Sequence, residues 1–163
     1  MRIAGLVQDS IVDGPGLRFV VFAQGCDKRC EGCHNPQSID VNGGVEVPVD
    51  DIIMQLLSNP LTDGLTLSGG EPFLQAAECV KLAGAAKGKN LNVWVFTGYK
   101  FEELCEKAKT NPQVDSLLRL TDVLIDGGFI LAERTLTLKW RGSQNQRIID
   151  VPSSLASGKV VVT

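Results

Sequence analysis

Three cysteines fall within eight positions at Cys26, Cys30 and Cys33, spaced C-x-x-x-C-x-x-C between Gly25 and His34-Asn35. One short loop can turn all three sulfurs toward a common centre, and thiolates select soft metals: Fe-S clusters, zinc or Cu(I). Iron-sulfur clusters are ordinarily held by four cysteines. A loop that supplies three therefore implies a cubane cluster whose fourth iron is open to a small ligand, unless a fourth protein ligand comes from elsewhere. Zinc with His34 as fourth ligand is the plainer alternative. Against it, neighbours such as Cys33 and His34 seldom both reach one tetrahedral ion, and the chain has no second cysteine pair of zinc-ribbon spacing. A ferredoxin-like electron carrier would need another cysteine at cluster distance. The remaining two, Cys79 and Cys105, stand alone in helical patterns, where free cysteine acts as a small buried hydrophobe.

A chain of 163 residues is long enough to build a core without staples, and residues 1–163 read as a single domain. With 44% apolar and 21% charged residues, disorder is not expected. The net charge of -3, with scattered basic residues, argues against direct nucleic-acid binding. Asp9 interrupts the N-terminus before any signal-length apolar run, and no stretch approaches ~18 apolar residues, so no membrane segment is expected. An odd cysteine count of five does not suit a disulfide framework, and the expected location is a reducing cytoplasm.

Strands are expected at 18–23, 65–67, 93–96 and 123–125, with a fifth at 147–151 and, at 160–162, either one more or a frayed tail. They are apolar almost throughout rather than alternating, as when both faces are covered. Helices alternate with them: one capped by Asp50 or Asp51 and ended by Asn59-Pro60, one from about Leu74 to Lys87, one with Phe101, Leu104, Cys105 and Ala108 on one face, and a shorter one carrying Val114, Leu117 and Leu118. Such alternation implies parallel β/α units. Four strands run straight into loops rich in Gly, Cys, Asp, Glu or Thr: the cysteine loop, Ser68 to Glu71, Thr97 to Lys100, and Asp126 to Phe129. Strand C-terminal ends share one edge of a parallel sheet, so these loops should converge. A closed barrel takes ~250 residues. The expected architecture is therefore an α/β open partial (β/α) barrel of five or six mostly parallel strands.

Gly69 and Gly70 permit close backbone approach to a ligand, and Glu71 is able either to accept hydrogen bonds from an ammonium group or to stand solvated at the next helix start. Trp140 is open between core and cofactor platform. Arg141 is open between a structural ion pair and a ligand or partner contact.

The cysteine spacing, Gly69-Gly70-Glu71 after the next strand and the β/α order resemble radical S-adenosylmethionine enzymes. Asp13-Gly14-Pro15-Gly16-Leu17-Arg18, Gly25-Cys26 and Cys33-His34-Asn35 resemble the branch that activates glycyl-radical enzymes. Val93 to Tyr99, Val123 to Gly127 and Trp140-Arg141-Gly142-Ser143 narrow the likeness to activators of anaerobic ribonucleoside-triphosphate reductase. The resemblance implies a radical SAM domain in which Cys26, Cys30 and Cys33 ligate a 4Fe-4S cluster. It implies S-adenosylmethionine on the open iron, with Gly69, Gly70 and Glu71 at its methionyl end and Gly32, Cys33 and His34 along its adenine. Thr97 and Asp126 would meet the ribose or carboxylate. The implied activity is reductive cleavage of S-adenosylmethionine to place a glycyl radical on the reductase, with a low-potential reductant such as flavodoxin as second partner. A formate-lyase type of glycyl-radical enzyme is the alternative target, and a non-enzymatic metal-binding or electron-transfer protein the alternative class. Two departures stand out: Gly32 replaces an aromatic residue before the third cysteine, and Gly128 replaces a basic residue two positions beyond Asp126, a gap that Lys100 or Arg141 would have to fill.

Overall fold

The computed structural model describes residues 1–163. The strands β1 (Arg2–Ser10), β2 (Arg18–Ala23), β3 (Val45–Glu46), β4 (Gly64–Gly69), β5 (Asn92–Phe96), β6 (Val123–Asp126) and β7 (Arg147–Asp150) form one sheet in the order β3-β1-β2-β4-β5-β6-β7. The central four, β2, β4, β5 and β6, are parallel; β1, β3 and β7 are antiparallel to their neighbours. Five helices follow the strands: α1 (Val49–Ser58), α2 (Ala76–Gly88), α3 (Phe101–Ala108), α4 (Pro112–Leu120) and α5 (Val151–Ser157). None is long and apolar enough to cross a membrane.

The pleat divides the central strands into two layers. Phe19 and Val21 of β2, Leu65 and Leu67 of β4, Val93 and Val95 of β5 and Leu124 of β6 join the main hydrophobic core with Leu56, Leu82, Leu104 and Leu117 from the helices. The alternate residues Val20, Thr66, Trp94 and Ile125 are buried as well, on the opposite face. Both faces are covered, which is why these strands lack polar alternation. On that second face Arg18 is fully buried, donating to Thr66 Oγ1 (2.7 Å), Leu65 O (2.8 Å) and Pro15 O (3.1 Å). It pins the Asp13–Gly16 turn to the sheet, and burial pushes its pKa down to about 10.

The structure adds to the expected elements and corrects several. There are seven strands, not five or six, because the opening segment forms β1 and a two-residue edge strand pairs with it. β1 is half-exposed and its register shifts between Ile3 and Gly5 and between Val7 and Ser10, so it lacks both alternation and a continuous apolar run. The strand at Arg147 runs antiparallel, ends at Asp150 and passes directly into α5, while Val162 makes only an isolated bridge to Ile149. Pro48, not Asp50 or Asp51, caps α1; both acids sit in its first turn, where they favour the helix dipole. A 3-10 turn, Pro72–Gln75, takes up the start of the helix expected at Leu74.

Asp126 staples three elements. Fully buried at the end of β6, its carboxylate accepts from Phe101 N at the start of α3 (2.8 Å) and from Arg147 Nε on β7 (3.0 Å), while Arg147 also reaches Glu102. Asp126→Ala is expected to cost about 2–3 kcal/mol, from the lost pair and the orphaned amide. Urea denaturation should show a lower midpoint with an unchanged slope.

Candidate functional site

A cleft of about 660 Å³ opens at the C-terminal edge of the parallel strands. Its floor is the outermost layer of the second sheet face, Phe22, Ser68, Phe96 and Ile125, and its walls are the four loops that follow β2, β4, β5 and β6. Cys26, Cys30 and Cys33 all line it.

The cysteine loop is closed at its root by Gly25 N donating to Ser38 O (2.7 Å) and Cys26 N to Ile39 O (3.0 Å). Left-handed backbone at Arg29 (φ 47°) and Gly32 (φ 71°) winds it, and Cys33 N donates to Cys30 O (3.2 Å). Amides also point at sulfur, Lys28 N to Cys26 Sγ (3.5 Å) and Asn35 N to Cys33 Sγ (3.4 Å). Burial is the main influence on the Cys26 thiol and pushes its pKa up, with the nearby charges of Glu71 and Asp27 adding to this. Three soft donors on one cleft, two of them receiving N–H groups, fit an iron-sulfur cluster, whose potential depends on hydrogen bonds to its sulfurs. No three His, Cys, Asp or Glu side chains close round a single ion, so the three sulfurs line the cleft without meeting at one point, and His34 does not join them. Its ring packs instead on Phe129, centroids 4.7 Å apart.

Gly69 and Gly70 line the cleft, yet the constraint on them comes from protein. At Gly69 (φ 94°) a Cβ would lie 2.6 Å from Ala23 N and O, and at Gly70 2.3 Å from Gly25 O. Gly70 N donates to Ala23 O and Glu71 N to Gly25 O, both at 2.8 Å. The loops after β2 and β4 therefore touch backbone to backbone, which no side chain permits.

Glu71 does not face the cleft. It is fully buried, and its carboxylate accepts from Thr97 Oγ1 (2.9 Å), Gly98 N (2.8 Å) and Phe73 N (3.1 Å). Its observed role is to hold the β5 loop against the β4 loop. Asp126 is likewise turned into the protein, where Phe101 and Arg147 occupy it. Thr97 and His34 line the cleft; Gly32 does not, and is exposed beside Leu131 and Phe129. Tyr99, beyond Thr97, donates its hydroxyl to Asp27, and Lys28 lies over its ring at 4.5 Å, fastening the β5 loop to the cysteine loop. A Cβ at Gly128 would sit 3.4 Å from Cys30 Sγ, in ordinary contact, which places this turn beside the cysteine loop.

The stretch from Phe129 to Gln146 builds the far wall, with Phe129, Trp140, Arg141, Gly142 and Gln146 all lining the cleft; sequence reasoning singles out Trp140 and Arg141 there but assigns no role to Phe129 or Gln146. Trp140 meets Trp94 edge-on at 5.7 Å and so joins the buried layer to that wall. For Asn145 and Gln146 the signal was the polar run Arg141 to Arg147, whose amides were free to serve as staples. Of the two basic residues put forward to replace the missing one at 128, Arg141 lines the cleft and Lys100 does not.

The family described as a 4Fe-4S single cluster domain matches residues 12–149. The anaerobic ribonucleoside-triphosphate reductase-activating protein of Haemophilus influenzae is 37% identical over 148 residues, covering 85% of this chain and 90% of its own. Its Escherichia coli K12 namesake is 34% identical over 146 residues, 83% of this chain and 90% of that one. The pyruvate formate-lyase 1-activating enzyme of E. coli K12 is 34% identical over 129 residues, 76% of this chain but 50% of that protein. A cysteine-lined cleft at the C-terminal edge of parallel strands, on a chain with these relatives, is that of an iron-sulfur enzyme of the radical S-adenosylmethionine activating class. Within that class the chain belongs to the family of anaerobic ribonucleoside-triphosphate reductase-activating proteins.

Burial pushes the pKa of Glu71 up from 4.5 to about 7, against the hydrogen bonds from Gly98, Phe73 and Thr97 that pull it down. A carboxyl whose folded pKa is raised holds its proton more firmly when folded. Its contribution to stability is therefore complete below about pH 4.5 and is lost as pH rises toward about 7. Glu71→Gln should flatten that part of the stability profile, measured by denaturant titration across the same range.

Proposed function

We propose that this chain cleaves S-adenosylmethionine at a 4Fe-4S cluster ligated by Cys26, Cys30 and Cys33 and thereby installs a glycyl radical on anaerobic ribonucleoside-triphosphate reductase. The observation that carries the reading is the meeting of the three cysteines with the Gly69-Gly70 backbone on one open cleft. On this reading residues 1–163 are one radical SAM domain, the sheet is an open partial (β/α) barrel, and a low-potential reductant such as flavodoxin serves it in the cytoplasm. When bound, the reduced cluster supplies the electron that breaks the sulfonium C5'-S bond.

The protein's own residues do the rest. The three thiols must be deprotonated to serve as ligands, so cluster binding works against the raised Cys26 pKa and is helped by the Lys28 amide. Gly69 and Gly70 expose backbone to the cosubstrate's methionyl end, and Thr97, held by Glu71, presents a fixed edge toward its ribose. His34, packed at a tilt against Phe129, would offer its imidazole to the adenine. The rim of the cleft carries Val12 and Leu136, exposed at 73% and 83%, a mouth suited to a polypeptide loop rather than a closed small-molecule pocket. A second target, a formate-lyase type of enzyme, is kept in view by the likeness to the formate-lyase activating enzyme, though half of that relative has no counterpart here.

Anaerobically reconstituted protein, given reductant and S-adenosylmethionine, should release 5'-deoxyadenosine and raise a glycyl signal by electron paramagnetic resonance on the ribonucleotide reductase but not on a formate lyase. Cys30→Ala should lose both cluster absorbance and cleavage. Cys105→Ala should keep both and cost about 1 kcal/mol of stability. Stoichiometric zinc without cleavage would refute the reading.

A further inference from the structure

Four residues that line the cleft carry ionisable side chains apart from the cysteines: Asp13, Lys28, His34 and Arg141. Lys28 is engaged, lying over the Tyr99 ring and 3.8 Å from Glu103. Arg141 is not. It takes part in none of the protein's ion pairs, and its Nε is sealed from solvent without a hydrogen-bond partner. A guanidinium has donors only, and a buried donor left unmade is costly, so the site is incomplete without an acceptor.

The backbone that carries Arg141 is held with unusual care. Gln146 Oε1 accepts from Gly142 N (2.8 Å) and Ser143 N (3.2 Å), while Gln146 Nε2 donates to Gly127 O (2.9 Å) and Asn145 Nδ2 to Gly128 O (2.8 Å). These amides fasten the Arg141 segment to the turn whose Gly128 abuts Cys30. On the other side, a Cβ at Gly142 would sit 3.1 Å from His34 Cε1, so the segment also rests against the cysteine loop. The backbone that carries the cation is thus fixed by contacts to both loops that border the cysteines, and no acidic group of the protein pairs with the guanidinium.

We propose that Arg141 is the carboxylate-binding residue of the cleft, that it takes the methionyl carboxylate of S-adenosylmethionine, and that Gln146 and Asn145 are its positioning residues. The inference rests on the cosubstrate assignment above. A carboxylate has acceptor capacity for more than one partner, so an oxygen remains for the guanidinium when another is engaged elsewhere, and the planar guanidinium matches that geometry where a lysine would not. An acidic side chain on the reductase offers the same chemistry, and the test separates the two sources.

Binding is measured on anaerobically reconstituted protein by equilibrium dialysis, with S-adenosylmethionine and with 5'-methylthioadenosine, which keeps the nucleoside and lacks the whole amino-acid end. Arg141→Gln should weaken S-adenosylmethionine about 10- to 100-fold and leave methylthioadenosine within about twofold. Gln146→Ala should weaken S-adenosylmethionine alone by a smaller factor, with cluster absorbance retained in both variants. Arg119→Gln, on the exposed face of α4, is the control. Equal weakening of both ligands would mean a merely structural role and overturn the proposal. So would unchanged cosubstrate affinity with loss of reductase binding, which would give Arg141 to the partner. If the unsubstituted protein binds no S-adenosylmethionine, the proposed function itself fails, an outcome distinct from either.

Discussion

Glu71 lies at the junction of three loops with its carboxylate fully used. Its backbone amide meets Gly25 at the root of the cysteine loop, and its oxygens hold Thr97, Gly98 and Phe73. Because the group is buried, every one of those bonds acts in a low dielectric, and releasing any one would expose a desolvated partner. The cysteine loop and the β5 loop are therefore placed by a residue that does not itself line the cleft. The glycines before Glu71 make this possible, since only backbone without Cβ lets β2 and β4 leave the sheet in contact.

A second bracket closes the other side. Asp126 and Arg147 fix β6 to β7 and to the start of α3, and Gln146 and Asn145 then tie the returning chain to Gly127 and Gly128. Trp140 reaches the buried layer through Trp94, over which Arg18 lies at 5.6 Å. The cleft thus stands on two polar networks that meet at the cysteine loop, one from β4 and β5, the other from β6 and β7. Rigid surroundings of this kind are what preorganised chemistry on a reactive cosubstrate requires.

The parallel centre of the sheet was readable because β2, β4, β5 and β6 are covered on both faces and show it as continuous apolar runs. The edges were harder. β1 is half-exposed and bulged, and its pairing partner β3 is only two residues long, so neither carries a periodic signal. The direction of β7 was also hidden, because strand composition is the same whichever way the strand runs. Among site residues, cysteines announce their chemistry by spacing, whereas an acid after two glycines reads as a ligand contact or a solvated helix start, and nothing in the local sequence showed the internal staple that Glu71 forms.

The amino-acid order alone determined that three soft donors share one loop and that this loop belongs beside three others at one sheet edge, because spacing and hydrophobic pattern are local properties. Only the tertiary structure decided which way the side chains turn. It sent Glu71 and Asp126 inward, where partners distant in sequence satisfy them, and brought Arg141 to the cleft without one. That outcome depends on the balance of desolvation and hydrogen bonding among residues up to 27 positions apart for Glu71 and 25 for Asp126, which no single stretch of sequence contains.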